Sequence, residues 1–150
     1  MPGTYSQMLL HVVFSTKQRE PWITPGVAER LYPYIGCIIR TEKGTLYEIG
    51  GVEDHIHMYF RWRPSGSVSD LMRTIKARSS KWVHDEFPAL ASFAWQEGYS
   101  LFTVSKSQEA AVKRYIAGQR EHHKTEDFKV ELLRLLKLHE VEFEEKYLFD

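Results

Sequence analysis

The sequence predicts an α+β fold, a ferredoxin-like antiparallel sheet with helices on one face. Three observations predict it. The apolar pattern changes period along the chain, giving the order β-α-β-β-α-β-α. Two neighbouring strand runs are separated only by a short turn, so they form a hairpin. No repeat, low-complexity tract or linker divides the 150 residues, so four strands and two crossing helices share one domain, residues 1–150.

The elements follow in order. Tyr5 to Ser15 reads as the first strand, with Met8, Leu10, Val12 and Phe14 on one parity. Thr24-Pro25 fits a helix entry, a hydroxyl at the cap and proline in the first turn. The helix should run from about Gly26 to about Arg40, burying Ala28, Leu31, Ile35 and Ile38 or Ile39, with a break or late start at Pro33. Lys43-Gly44 turns into a strand from Thr45 to Gly50, and Gly50 to Asp54 turns again into a strand ending before Arg63-Pro64-Ser65-Gly66. Ser67 with Asp70 caps a second helix, with Val68, Leu71, Met72, Ile75, Ser79, Trp82 and Val83 at helical spacing up to the stop at Pro88. Tyr99 to Val104 is a short strand. Ser105 with Gln108 matches a capping box for the next helix. Residues 124–150 form a C-terminal helix and tail; Thr125 opens the helix, and Phe128, Leu132, Leu135 and Leu136 make its apolar face.

Composition excludes several classes. An apolar fraction of 43% and an aromatic fraction of 13% are those of a globular chain. The single cysteine, Cys37, rules out an internal disulfide and, lying in an apolar run, is expected to be a buried thiol. No signal pattern or membrane span is present, so the expected location is the cytoplasm, with no membrane partner. The net charge is zero, but it is unevenly spread. Residues 1–123 carry 15 Lys/Arg and 12 Asp/Glu, and residues 124–150 carry 5 and 8. The densest basic region holds Arg61, Arg63, Arg73, Lys76, Arg78 and Lys81 against Asp70 alone. Such a stripe is more often a solvated face than a binding site. Here Trp62, Trp82 and Trp95 lie near it in sequence, and aromatics among cations suit unpaired bases, although at least one of the three is expected in the core.

The chemistry concentrates in Val52 to Trp62. His55, His57 and Tyr59 fall on one parity and Ile56, Met58 and Phe60 on the other. On a strand both imidazoles therefore share a face; on a helix they would lie about 200° apart and could not share an ion. Further on, Tyr115 and Gln119 are spaced i, i+4 and share a helix face. Asp54 could orient a histidine or cap the turn, and His122 and His123 could touch phosphate or end the helix.

These pieces resemble the single-tyrosine HUH transposases, the IS-two-hundred-like insertion-sequence family with its REP-associated relatives. The resemblance runs through Gly50-Gly51-Val52-Glu53-Asp54-His55-Ile56-His57, Ser67-Val68-Ser69-Asp70-Leu71, Lys76-Ala77-Arg78-Ser79-Ser80, Ala94-Trp95-Gln96-Glu97-Gly98-Tyr99 and Tyr115-Ile116-Ala117-Gly118-Gln119. It implies an HUH endonuclease-type fold. It also implies a DNA transposase that cleaves and rejoins single-stranded DNA through a 5′-phosphotyrosine.

Carried over by position, Tyr115 matches the nucleophile, His55 and His57 the metal-binding pair, and Gln119 the third ligand. The implied cofactor is Mg2+ or Mn2+, whereas the nitrogen ligands alone would favour a transition metal. Arg61, Arg73, Lys76, Arg78 and Lys81 are the candidate DNA-contacting cations. The implied partner is single-stranded DNA with hairpin-bearing ends. One tyrosine per chain cannot hold both ends of an element, so a homodimer is expected; the resemblance implies swapped active sites in many members, and this chain permits them without requiring them. The rival readings are a catalytically inactive single-stranded nucleic-acid-binding protein and a metal-dependent nuclease that uses water.

Overall fold

The computed structural model describes residues 3–148. Its centre is a four-stranded antiparallel sheet in the order β2-β3-β1-β4, built from β1 (Met8–Ser15), β2 (Thr45–Val52), β3 (His55–Trp62) and β4 (Ser100–Thr103). Two crossovers, α1 (Pro25–Thr41) and α2 (Val68–Glu86), join strands that are not neighbours, which is the expected ferredoxin-like plan. Period-two alternation decides what each face carries. Met8 pairs with Trp62, Leu10 with Phe60, Val12 with Met58 and Phe14 with Ile56. These even-numbered residues meet Leu31, Ile35 and Ile39 of α1 and Leu71, Ile75 and Val83 of α2 in the main core.

The helices are not confined to one face as the sequence suggested; the opposite face is covered as well. It receives α3 (Glu109–Ala117), α4 (Gln119–His122) and α5 (Phe128–Leu138). Phe128, Leu132, Leu135 and Leu136 of α5 pack on Val13 and Phe102, and Ile116 of α3 packs on Leu9 and Tyr59. The C-terminal helix is thus part of the fold's second core. Each such fully buried side chain contributes about 1.5–3 kcal/mol. The acidic and aromatic tail also touches the body: the Leu148 carbonyl accepts a hydrogen bond from Gln96.

Several local expectations need correction. The α1 helix runs unbroken through Pro33. Pro33 and Glu29 are both exposed, so the Glu29 carbonyl, which loses its donor, faces water. Cys37 is exposed rather than buried, because it falls on the outward side of α1 between Ile35 and Ile38. The β2 strand continues to Val52, so only Glu53 and Asp54 turn the hairpin. Ser105 makes no cap; a 3-10 turn at Lys106–Gln108 leads into α3 instead. Asp127, not Thr125, caps α5, its carboxylate accepting from the Val130 amide at 2.9 Å. The caps at Thr24 and Ser67 form as expected. No described helix is long and apolar enough to cross a membrane.

The close seat of α3 on the sheet depends on Gly50. A Cβ there would lie 2.5 Å from the Ile116 carbonyl oxygen, a backbone atom that cannot rotate away. Tyr59 fixes the other end of α3, donating to Glu109 at 2.7 Å. Gly50→Ala should therefore lift α3 and lower unfolding stability by about 1–3 kcal/mol, the range for overpacking. Chemical denaturation of the two proteins would measure it; an unchanged midpoint would mean that α3 is free to shift.

Candidate active site

The odd-numbered residues of β3 put His55 and His57 on the face under α3–α5, and both are fully buried. Their strand neighbour β1 adds His11, whose Nε2 lies 2.8 Å from His57 Nδ1. On the other side of the pair, Asp54 Oδ1 lies 2.7 Å from His55 Nδ1. A carboxylate at this distance only accepts, so His55 Nδ1 carries a proton and Nε2 faces the centre of the site. The hairpin turn thus supplies the histidine's orienting group.

Tyr115 and Gln119 reach the same point. They do not share one helix, because α3 ends at Ala117 and α4 begins after Gly118. The break leaves both side chains pointing at the histidines. The Tyr115 ring stands edge-on to His57 with centroids 5.6 Å apart, and Gln119 Oε1 lies 2.9 Å from His55 Nε2.

At the meeting point sits a residue the sequence reading missed, Glu131 of α5, which is fully buried. Its Oε1 is 3.1 Å from His55 Nε2, 3.1 Å from His57 Nε2 and 3.0 Å from His123 Nε2. Its Oε2 accepts from the Tyr115 hydroxyl and, at 2.9 Å, from Gln119 Nε2. Arg134, one turn further along α5, donates to the Tyr115 oxygen at 3.3 Å and pairs with Glu126. The signal for Glu131 was present in the sequence: it is the charged residue within the stripe Phe128, Leu132, Leu135. His11 likewise interrupts an apolar strand.

The electrostatics follow from burial and partners. Burial works against a charge on His55, yet its hydrogen bonds to Asp54 and Glu131 outweigh that and raise its pKa to about 9. Burial lowers His57 to about 4, and burial with the neighbouring His57 lowers His11 to about 3, so both stay neutral. Burial opposes ionisation of Glu131, but hydrogen bonds from His123, His55 and His57 hold it far below the usual carboxylate range. Burial and the Glu131 carboxylate push the Tyr115 phenol above its ordinary value, with Arg134 opposing.

The chemistry of the donor set fits a divalent ion. The ligand atoms of His55, His57 and Glu131 lie within 4.8 Å of one another, and so do those of His122, His123 and Glu131. An open cleft of about 450 Å3 runs alongside, lined in part by His11, Phe102, Val104, Tyr115, Arg134 and His139.

The family model described as "Transposase IS200 like" matches residues 4–119. The chain belongs to this family. It is 31% identical over 123 residues to the transposase for insertion sequence element IS200 of Salmonella typhimurium, covering 76% of this chain and 78% of that one. It is 22% identical over 122 residues to the ISDra2 transposase TnpA of Deinococcus radiodurans, covering 78% and 87%. Among solved structures, a putative transposase from Deinococcus radiodurans superimposes with a TM-score of 0.66 at 22% identity, over 79% of this chain and 95% of that one. A REP-associated tyrosine transposase bound to a REP hairpin superimposes with a TM-score of 0.61 at 14% identity, over 82% and 73%. The transposase-family match ends at Gln119, so α5 and Glu131 lie beyond it.

The basic stripe is not gathered at this centre. Arg61 is exposed on β3, six residues from His55 and so about 20 Å along the strand. Arg73, Lys76, Arg78 and Lys81 belong to α2, on the other side of the sheet. Arg73 pairs with Asp70 and Lys81 with Asp85, and Arg78 is exposed. Lys76 donates to the carbonyls of Gln96, Glu97 and Gly98 at 2.8, 3.0 and 2.6 Å, closing that loop. Trp62 and Trp95 are core residues, their indoles donating to Gly66 and Ser79, and Trp82 stacks on Tyr34. None of the three is a free platform for a base. Lys76→Met should cost about 1.5–3 kcal/mol of stability, the scale of hydrogen bonds from a charged donor. Thermal unfolding would show it, and a loss of DNA affinity without a loss of stability would instead make Lys76 a DNA contact.

Proposed function

We propose that this transposase-family chain cleaves and rejoins single-stranded DNA through a covalent bond between Tyr115 and a 5′ phosphate. The supporting observation is that a phenol, two imidazoles and an amide from separate parts of the chain converge on one buried point. A divalent ion, Mg2+ or Mn2+, held by His55, His57 and Gln119 would supply Lewis-acid polarisation of the scissile phosphate.

The residues account for the remaining steps. The Tyr115 oxygen attacks phosphorus, the bond from phosphorus to the 3′ oxygen breaks, and a 3′ hydroxyl leaves carrying a proton. The hydrogen bond from the phenol to Glu131 Oε2 aims the hydroxyl, and its proton ends on the leaving 3′ oxygen. Arg134, beside the same oxygen, offsets negative charge as the phenol ionises. Rejoining is the reverse attack by a 3′ hydroxyl, so the phosphodiester energy is conserved and no external source is needed. The cleft beside Tyr115 gives a flexible strand an approach. The similar REP-associated protein bound to a REP hairpin supports hairpin-bearing ends as the substrate.

Within this chain Tyr115 stands next to its own His57. Each site is therefore built within one chain, and a homodimer of two such sites handles both ends. Mixing a His55→Ala/His57→Ala variant with a Tyr115→Phe variant should then give no adduct, since every site carries a defect. Adduct after subunit exchange would show swapped sites.

Tyr115→Phe should abolish the protein–DNA adduct on labelled single-stranded ends and leave DNA binding intact. Cleavage by the phenylalanine variant at a comparable rate would instead identify water as the nucleophile. His55→Ala or His57→Ala should each remove several kcal/mol of transition-state stabilisation, on the order of what a Lewis-acid metal supplies. Full activity in excess chelator would overturn the metal role.

A further inference from the structure

We propose that Glu131, from the helix beyond the family-matched region, is itself a protein ligand of the divalent ion, so that α5 completes the metal centre. This rests on the metal-dependent reading above and extends it to a residue outside the matched residues 4–119.

Outer hydrogen bonds aim the donors at one point. Asp54 accepts from His55 Nδ1, so a neutral His55 presents a lone pair at Nε2. His11 and His57 share one hydrogen bond, and when His57 Nδ1 donates it, His57 Nε2 also presents a lone pair. Gln119 spends its amide N–H on Glu131 Oε2, which turns its own oxygen toward His55 Nε2. In that tautomeric state two nitrogen lone pairs, an amide oxygen and the Glu131 Oε1 all face one point. In the ion-free chain a proton between His55 Nε2 and Glu131 Oε1 holds the two together, and a divalent ion would take its place among the same donors. Partners that fix the outer nitrogen of each histidine are the usual second shell of a metal-bound imidazole.

The spacing agrees. In an octahedron with bonds of ~2.1 Å, adjacent donors lie about 3.0 Å apart. Glu131 Oε1 is 3.1 Å from His55 Nε2 and 3.1 Å from His57 Nε2, and Gln119 Oε1 is 2.9 Å from His55 Nε2. Four protein donors leave two positions of an octahedron for a phosphate oxygen and a water. The second carboxylate oxygen is not needed for the ion and instead accepts from Tyr115. One side chain thereby ties the position of the metal to that of the nucleophile.

The competing role for a carboxylate here is a plug that fills the ion's place and must leave before the ion enters. Metal binding separates the two. Chelator-stripped full-length protein would be titrated with Mn2+, the free ion followed by its paramagnetic resonance signal. Glu131→Gln should bind at least tenfold more weakly than the native chain, while Lys137→Gln, on the exposed side of the same helix, binds as the native chain does. Equal or tighter binding by Glu131→Gln would overturn the proposal. Should that variant fail to keep its circular dichroism spectrum, hydrogen exchange of the native chain decides. Mn2+ should slow exchange across Phe128–Leu138, whereas a plug would be expelled and exchange there would quicken. If His57→Ala loses Mn2+ binding and Glu131→Gln does not, the metal reading stands and this proposal falls. If the native chain does not bind Mn2+, both fall.

Discussion

The site is organised by one buried negative charge. A carboxylate removed from water is costly, and it persists only where donors surround it. Glu131 has them from four directions: β3 supplies His55 and His57, α3 supplies Tyr115, α4 supplies Gln119, and the segment after α4 supplies His123. Each of these elements is held against the sheet by apolar contacts of its own or by its neighbours. The polar centre aligns them more finely than apolar packing could, because hydrogen bonds fix direction as well as distance. The converse also holds. Removing any one donor leaves the others facing an imperfectly compensated charge, so the residues of this centre should not behave additively.

The sheet separates this chemistry from the core that supports it. On β3, Ile56, Met58 and Phe60 anchor the strand against α1 and α2, while His55 and His57 face the opposite way under α3–α5. The histidines are thus mounted on the rigid centre of the molecule, with β1 and β2 paired on either side of their strand. The groups that complete the site come from shorter helices that pack on the sheet through fewer apolar side chains.

Much of this was legible in the sequence, for definite reasons. Alternation around His55 and His57 gave the strand, its face and the sharing of that face in one step. The helix starts at Thr24 and Ser67 were legible because a capping hydroxyl acts on residues only three positions away. What escaped depended on distant neighbours. Pro33 is tolerated because its side of α1 faces solvent, and Cys37 is exposed because the apolar run around it has an outward side. Ser105 matched a cap pattern that a 3-10 turn displaced. The basic residues of α2 looked like one stripe in sequence, but Lys76 is used to close a loop and the helix lies across the sheet from the histidines. Glu131 was the largest omission. A charge on an apolar helix stripe announces a buried partner, but which partner depends on how α5 is laid over the sheet.

The two-residue turn at Glu53 and Asp54 has a consequence for how such a chain can change over generations. Because neighbours on β3 serve opposite faces, a substitution on the histidine side leaves the core side untouched, and each face can change while the other is held. Length has no such freedom. One residue gained or lost between Val52 and His55 that moved β3 by a single position would exchange its faces, sending imidazoles into the apolar layer and methyl groups into the polar centre, unless a bulge like the one between Leu46 and Glu48 absorbed it. Point changes here are graded, whereas an insertion that no bulge absorbs is all-or-none. Descendants of this chain should therefore hold the side-chain parity of β3 more tightly than the identity of any one residue in the turn.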